Sequence, residues 1–147
     1  MRALQEILFG AFLVSATGVI HALATALAFR IGQARVRAPS RRGRDAVRVR
    51  LTVLVAALFF AAHVLEAAGW AGLGWIRGFF PAYLDALEFS LGAYTTVGAP
   101  GLALPPGATL WGPIEAATGM IMFGWSTGVL AAIVLRHAAA EEQGDRR

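Results

Sequence analysis

Four ionisable residues sit where the chain is otherwise apolar: His21, His63, Glu66 and Glu115. A charged group in a low-dielectric surrounding is expensive, so each needs a partner or a task. His63 and Glu66 are three residues apart, which puts them on one helix face. Such a pair suits a hydrogen-bonded brace or a proton or ion-coupling site, and the brace is the commoner use. Two ligands alone make no metal site. His21 lies in a separate apolar run, where it reads as a packing residue unless the fold carries it to the pair and completes a cluster. Glu115 falls early in the last apolar run, facing either an outer vestibule or the positive end of its own helix. The chain has no cysteine, so thiolate metal sites, disulfides and thiol catalysis are excluded. No nucleophile and base arrangement, phosphate loop or metal-ligand cluster stands out. The expectation is therefore no enzyme, no metal and no cofactor.

A different chemistry is offered by Thr95, Thr96, Val97, Gly98, Ala99, Pro100 and Gly101. They follow a short helical stretch whose C-terminal end presents about half a negative charge, which favours a cation beyond it. Backbone carbonyls from Thr95 to Gly98, with the Thr96 hydroxyl, supply oxygen ligands of the kind that replace ion hydration.

The elements that must hold these residues are set by composition. The chain of 147 residues is 57% hydrophobic and 15% charged, which calls for a lipid solvent. Ile7 to Phe29, Leu51 to Trp75 and Trp111 to Leu135 are each long enough to cross a hydrocarbon core. Every basic residue is arginine, and eight of them lie between Arg30 and Arg50 with Asp45 as the only acid. Read without position, that charge suggests nucleic acid; flanked by apolar runs it is a topology signal that holds residues 30–50 in the cytoplasm. The same arginines attract anionic lipid headgroups. A cleaved signal peptide ending near Ala22-Leu23-Ala24 is disfavoured because only Arg2 precedes the run. The expectation is a multi-pass protein of the inner (plasma) membrane, its N-terminus outside and its C-terminus cytoplasmic. Trp70, Trp75 and Trp111 suit the outer interfacial belt.

Between the last two runs, Pro81 can start a helix, and Asp85 and Glu88 fall in its first two turns, where the dipole favours acids. A helix over 81–95 spans only about 20 Å, too short to cross, and Gly98-Ala99-Pro100-Gly101 cannot continue it. A short helix entering and an irregular strand leaving make a re-entrant loop, tolerated at membrane depth when buried in protein or lining a cavity. The segments are then an N-terminal helix over 1–29, a basic loop over 30–50, and a unit over 51–135. That unit comprises an outer helix over 51–75, a short helix over 81–95, a loop over 96–101 and an inner helix over 111–135. A tail over 136–147 follows.

Tyr94-Thr95-Thr96-Val97-Gly98 after a short helix, with a spanning helix on each side, resembles the potassium-channel pore domain. His63-Val64-Leu65-Glu66, Leu104-Pro105-Pro106, Gly112-Pro113-Ile114-Glu115-Ala116 and Phe123-Gly124-Trp125-Ser126-Thr127 extend the likeness to small bacterial ion-channel proteins with an extra N-terminal helix. The resemblance implies an all-α homotetramer with a pore helix, a filter-like loop and a monovalent cation, K+ or Na+, as permeant ion. The chain departs from that pattern at Ala99-Pro100-Gly101, where the filter would read Tyr-Gly-Asp. Proline fixes φ near −65° and cannot replace a glycine of positive φ. The expectation is a weakly selective pore. The alternatives are a non-conducting pore-like subunit and a haem- or proton-handling bundle built on His21 and His63.

Overall fold

The computed structural model describes residues 2–32 and 41–145, and all regular structure among them is helical. The helices are α1 (Arg2–Gly32), α2 (Arg41–Ile76), α3 (Tyr83–Tyr94) and α4 (Trp111–Asp145). Three of them carry segments long and apolar enough to span a bilayer, over Glu6–Gly32, Arg42–Ile76 and Trp111–Ala139. The burial pattern fits lipid. Leu8, Phe12, Leu23, Phe60 and Leu135 are all exposed, while His21, Glu66, Ser90, Glu115 and Thr118 are buried. A water-soluble bundle would reverse these two groups.

Helix α1 packs against α2 and α4, α2 packs against α4, and α3 packs against those same two helices. Small residues allow the approach: Ala24 and Ala28 meet Val55, Phe59, Ala62, Val129 and Ile133 in one apolar layer. A second layer at the other end joins Leu13, Trp70 and Trp111. Trp70 and Trp111 therefore belong to the interior, 1% and 6% exposed, rather than to an interfacial belt. The indole N–H of Trp70 donates to Thr17 Oγ1 at 3.1 Å, so its polar edge is satisfied inside the protein. Trp75 alone of the three is well exposed, edge-on to Tyr83.

Helix boundaries run past the apolar runs. Residues 41–50, expected as loop, form the first turns of α2, because arginine is a good helix former and this stretch has no proline. Arg48 pairs with Asp45 at 3.7 Å one turn back. Residues 33–40 of that expected loop, and 146–147 of the tail, lie outside the described residues. The rest of the tail continues α4 to Asp145. His137 Nε2 donates to the carbonyl of Gly32, the last residue of α1, at 3.0 Å and satisfies one of its orphan acceptors. At the start of α3, Pro81 lies outside the helix; Ala82 is the N-cap with extended φ −129° and ψ 154°, and Asp85 sits in the first turn.

Candidate functional site

The face that α3 turns to the bundle is a stripe spaced by four, Ala86, Ser90 and Tyr94, all buried. Its last residue sets its depth. The Tyr94 ring lies 5.9 Å from His63 and 5.7 Å from Phe123 between ring centroids. His63 is about 20 Å along α2 from the Ile76 end at 1.5 Å per residue. Helix α3 thus descends from the Trp75 end of α2 and stops near the middle of the bundle.

Two glycines permit that descent. A Cβ on Gly119 of α4 would overlap the Tyr94 carbonyl oxygen, and one on Gly92 would overlap the Gly98 carbonyl. The chain then reverses. Thr96 takes a left-handed conformation, φ 64°, with its N–H on the Ala93 carbonyl at 2.9 Å, in the manner of a Schellman helix end that glycine normally occupies. Gly98, also of positive φ, donates its N–H back to the Gly92 carbonyl at 2.9 Å. The Thr95 hydroxyl is bonded to the Leu91 carbonyl at 2.7 Å. Thr95, Thr96, Val97 and Gly98 are exposed, Val97 to 82%.

Beyond Gly98 the backbone turns instead of extending. The Leu102 N–H bonds the Ala99 carbonyl at 3.2 Å around Pro100 and Gly101, whose φ is 87°. Proline second and a positive-φ glycine third are the signature of a type II turn. Pro105, Pro106, Gly107 and Ala108 repeat it, with an Ala108 to Pro105 bond of 3.1 Å and φ 96° at Gly107. An open groove of about 290 Å³ lies beside Ala99, between Phe89 and Ala93 of α3 and Gly112 and Ala116 of α4.

Behind the hairpin the ionisable residues converge. The Tyr94 hydroxyl donates a very short hydrogen bond to Glu66 Oε2. His21 Nδ1 lies 3.0 Å from Glu66 Oε1, so α1 joins the pair on α2. His63 Nδ1 is 3.6 Å from Glu66 Oε2 and 3.3 Å from the Tyr94 oxygen, and its Nε2 is 3.1 Å from Ser126 Oγ on α4. One ligand atom from each of His21, His63 and Glu66 falls within 4.8 Å of the others, all three residues buried. The fold thus brings to the pair the third residue that spacing alone left separate. The two imidazole centroids are 5.2 Å apart at 35°, with both Nδ1 atoms near Glu66, which leaves no slot for a porphyrin between them.

Glu115, the fifth residue of α4, is turned toward α3. It is fully buried, Ser90 of α3 donates to its Oε1, and Oε2 has no partner among the described residues. The contact follows from Ser90 facing the bundle one turn before Tyr94. The sequence reading did not assign roles to Tyr94, Ser90 and Ser126, which link the ionisable residues. The signal for the first two was the spacing of Ala86, Ser90 and Tyr94 by four. Comparison with protein-family models, curated proteins and solved structures returned no match.

Proposed function

We propose that this chain is the subunit of a homotetrameric, potassium-channel-like pore in the inner (plasma) membrane, passing monovalent cations with weak selectivity. The observation that carries the reading is the hairpin. A 12-residue helix enters the bundle to mid-depth and returns through a backbone that alternates in hand at Thr96 and Gly98. Irregular backbone at such depth survives in lipid only against protein or a wet cavity. In the single chain the loop from Thr95 to Gly98 is bare. Four copies around an axis would cover it and give its carbonyls an aqueous lumen to face. Helix α3 would aim the negative end of its dipole at a cation below the loop. Residues 30–50 would lie in the cytoplasm, beside anionic lipid.

The type II turn at Ala99 favours a second reading, a pore-like subunit that does not conduct. It ends the loop after Gly98, so fewer carbonyl rings would stack than a potassium filter needs. One experiment separates the two. Purified chain in liposomes is assayed for flux of potassium, sodium and a large organic cation. Entry of both small ions with little preference supports the pore. A tetramer with no flux selects the non-conducting subunit, and a monomer in detergent and bilayer overturns both.

A further inference from the structure

The polar cluster behind the hairpin gathers His21, His63 and the Tyr94 hydroxyl around the one carboxylate of Glu66. Glu66 is 1% exposed, and its ion-pair partners among the described residues are His21 and His63. Two imidazoles and a carboxylate drawn together from two helices in a buried position are a donor set that a cation can bridge.

We propose that His21, His63 and Glu66 bind a divalent first-row transition metal ion, for which zinc is the natural choice given two imidazoles and a carboxylate. The distances fit. Donors at about 2.0–2.2 Å from a tetrahedral ion stand about 3.4 Å apart. His21 Nδ1 stands 3.0 Å from Glu66 Oε1 and His63 Nδ1 3.6 Å from Glu66 Oε2, so each imidazole faces its own carboxylate oxygen near that spacing, and one donor atom from each of the three residues lies within 4.8 Å of the others. The outer contacts fit as well. Ser126 Oγ donates to the Met122 carbonyl at 3.0 Å, so it is left to accept the Nε2–H of His63, and the Nδ1 lone pair faces Glu66. A ligating histidine tied by its other nitrogen is the usual arrangement around a metal. His21 Nε2 is buried without a partner, and its Nδ1 contacts Glu66 Oε1 at 3.0 Å; an ion bound there would release the Nδ1 proton and bridge the same two atoms. The Tyr94 oxygen, 3.3 Å from His63 Nδ1, stands beside the fourth position. The His63 side chain retains 11% exposure and lies 4.3 Å, between ring centroids, from the partly exposed Phe123 of α4. The ion would tie α1 to α2, whether or not the chain conducts.

The test uses the full chain in detergent, stripped with a chelator and titrated with zinc alone, or with cobalt(II) alone as a spectroscopic probe. The expected result is one saturable ion per chain, visible cobalt bands of a four-coordinate nitrogen and oxygen site, and a higher unfolding midpoint with zinc than with chelator. Glu66→Gln and His21→Asn abolish binding, Ser126→Ala weakens it by about 10–100-fold, and Glu115→Gln leaves it unchanged. No saturable site in the wild type, or zinc binding unaltered in both Glu66→Gln and His21→Asn, overturns the proposal. Should those two variants not fold, the wild-type cobalt spectrum and Ser126→Ala decide it: an octahedral aquo-like spectrum, or Ser126→Ala binding like wild type, counts against the site.

Discussion

The hydroxyl of Tyr94, the last residue of α3, is hydrogen-bonded to the carboxylate of Glu66 on α2, and this bond anchors the inner end of the hairpin. Tyr94→Phe leaves Glu66 Oε2 without that donor in a buried position, a loss of about 1–3 kcal/mol. Glu66→Gln also disturbs the contact with His21. Because the two substitutions act on one shared bond, Glu66→Gln weakening it to a neutral acceptor and Tyr94→Phe removing the donor, the double variant should cost less than the sum of the singles, by about 0.5–3 kcal/mol. Thermal unfolding in detergent, followed by circular dichroism, measures all three. Strict additivity would mean that the bond contributes nothing to the fold.

Gly119 of α4 lies directly against the end of α3, since any Cβ there meets the Tyr94 carbonyl. Gly119→Ala should therefore push the hairpin outward and destabilise the chain by about 1–3 kcal/mol, the usual effect of overpacking. Gly124 and Gly128 on the same helix have open space around them, so alanine at either is expected to leave the isolated subunit as stable or slightly more so. Their effect should appear on assembly instead. Size-exclusion chromatography with light scattering reads it: if the proposed tetramer forms, its persistence in Gly124→Ala and Gly128→Ala would place these glycines away from the subunit contact.

Much of this arrangement is legible in the sequence, and the illegible parts have physical causes. The three long apolar runs announce themselves through length and hydropathy, and the short helix through Pro81, Asp85 and the breakers after Thr95. Residues 41–50 mislead because arginine serves equally as a topology signal and as a helix former, and the helix-forming role governs their backbone. Trp70 misleads because an indole finds its polar partner in an interior threonine as readily as in a headgroup region. The His21 contact rests on how α1 docks, which no local spacing encodes. Ala99-Pro100-Gly101 is legible as a break, while its conformation, a type II turn, follows from Pro-Gly chemistry that the resemblance to a filter obscures.

Thr96 is the one described non-glycine residue with positive φ. A β-branched residue held there stores about 1–3 kcal/mol of strain, and such outliers concentrate at functional positions. Thr96→Gly should raise or preserve thermal stability, because it relieves the backbone, while altering ion flux, because it removes the hydroxyl. A clear drop in stability would show instead that the threonine side chain holds the hairpin closed.

Topology follows from the arginines. Eight lie between Arg30 and Arg50, against the single Arg77 in the α2 to α3 connection, so the N-terminus is expected outside and the α1 to α2 connection inside. Fusions to a periplasm-dependent reporter check this. Activity of a reporter inserted at residue 40, in the absence of activity at the N-terminus, would invert the orientation.

The last prediction concerns ion preference. Potassium selectivity rests on several stacked carbonyl rings, and whether cavity size or carbonyl field strength governs it, fewer rings lower it. Here the loop turns after Gly98: Ala99 offers no aromatic side chain to pack behind it, and Pro100 with Gly101 closes a turn onto Leu102. The unmodified chain should therefore discriminate poorly between potassium and sodium or conduct nothing. Replacing Ala99 with Tyr, Pro100 with Gly and Gly101 with Asp writes in the residues of the filter that the sequence resembles, frees φ at position 100 and removes the proline that favours the turn. The groove of about 290 Å³ beside Ala99 gives the tyrosine a place to enter between α3 and α4. Reversal potentials under bi-ionic potassium and sodium conditions should shift toward potassium in the triple variant, and Ala99→Tyr alone should shift them less, because the turn remains. Strong potassium selectivity in the unmodified chain would falsify the backbone reasoning, since an intact outer filter would then coexist with proline at position 100.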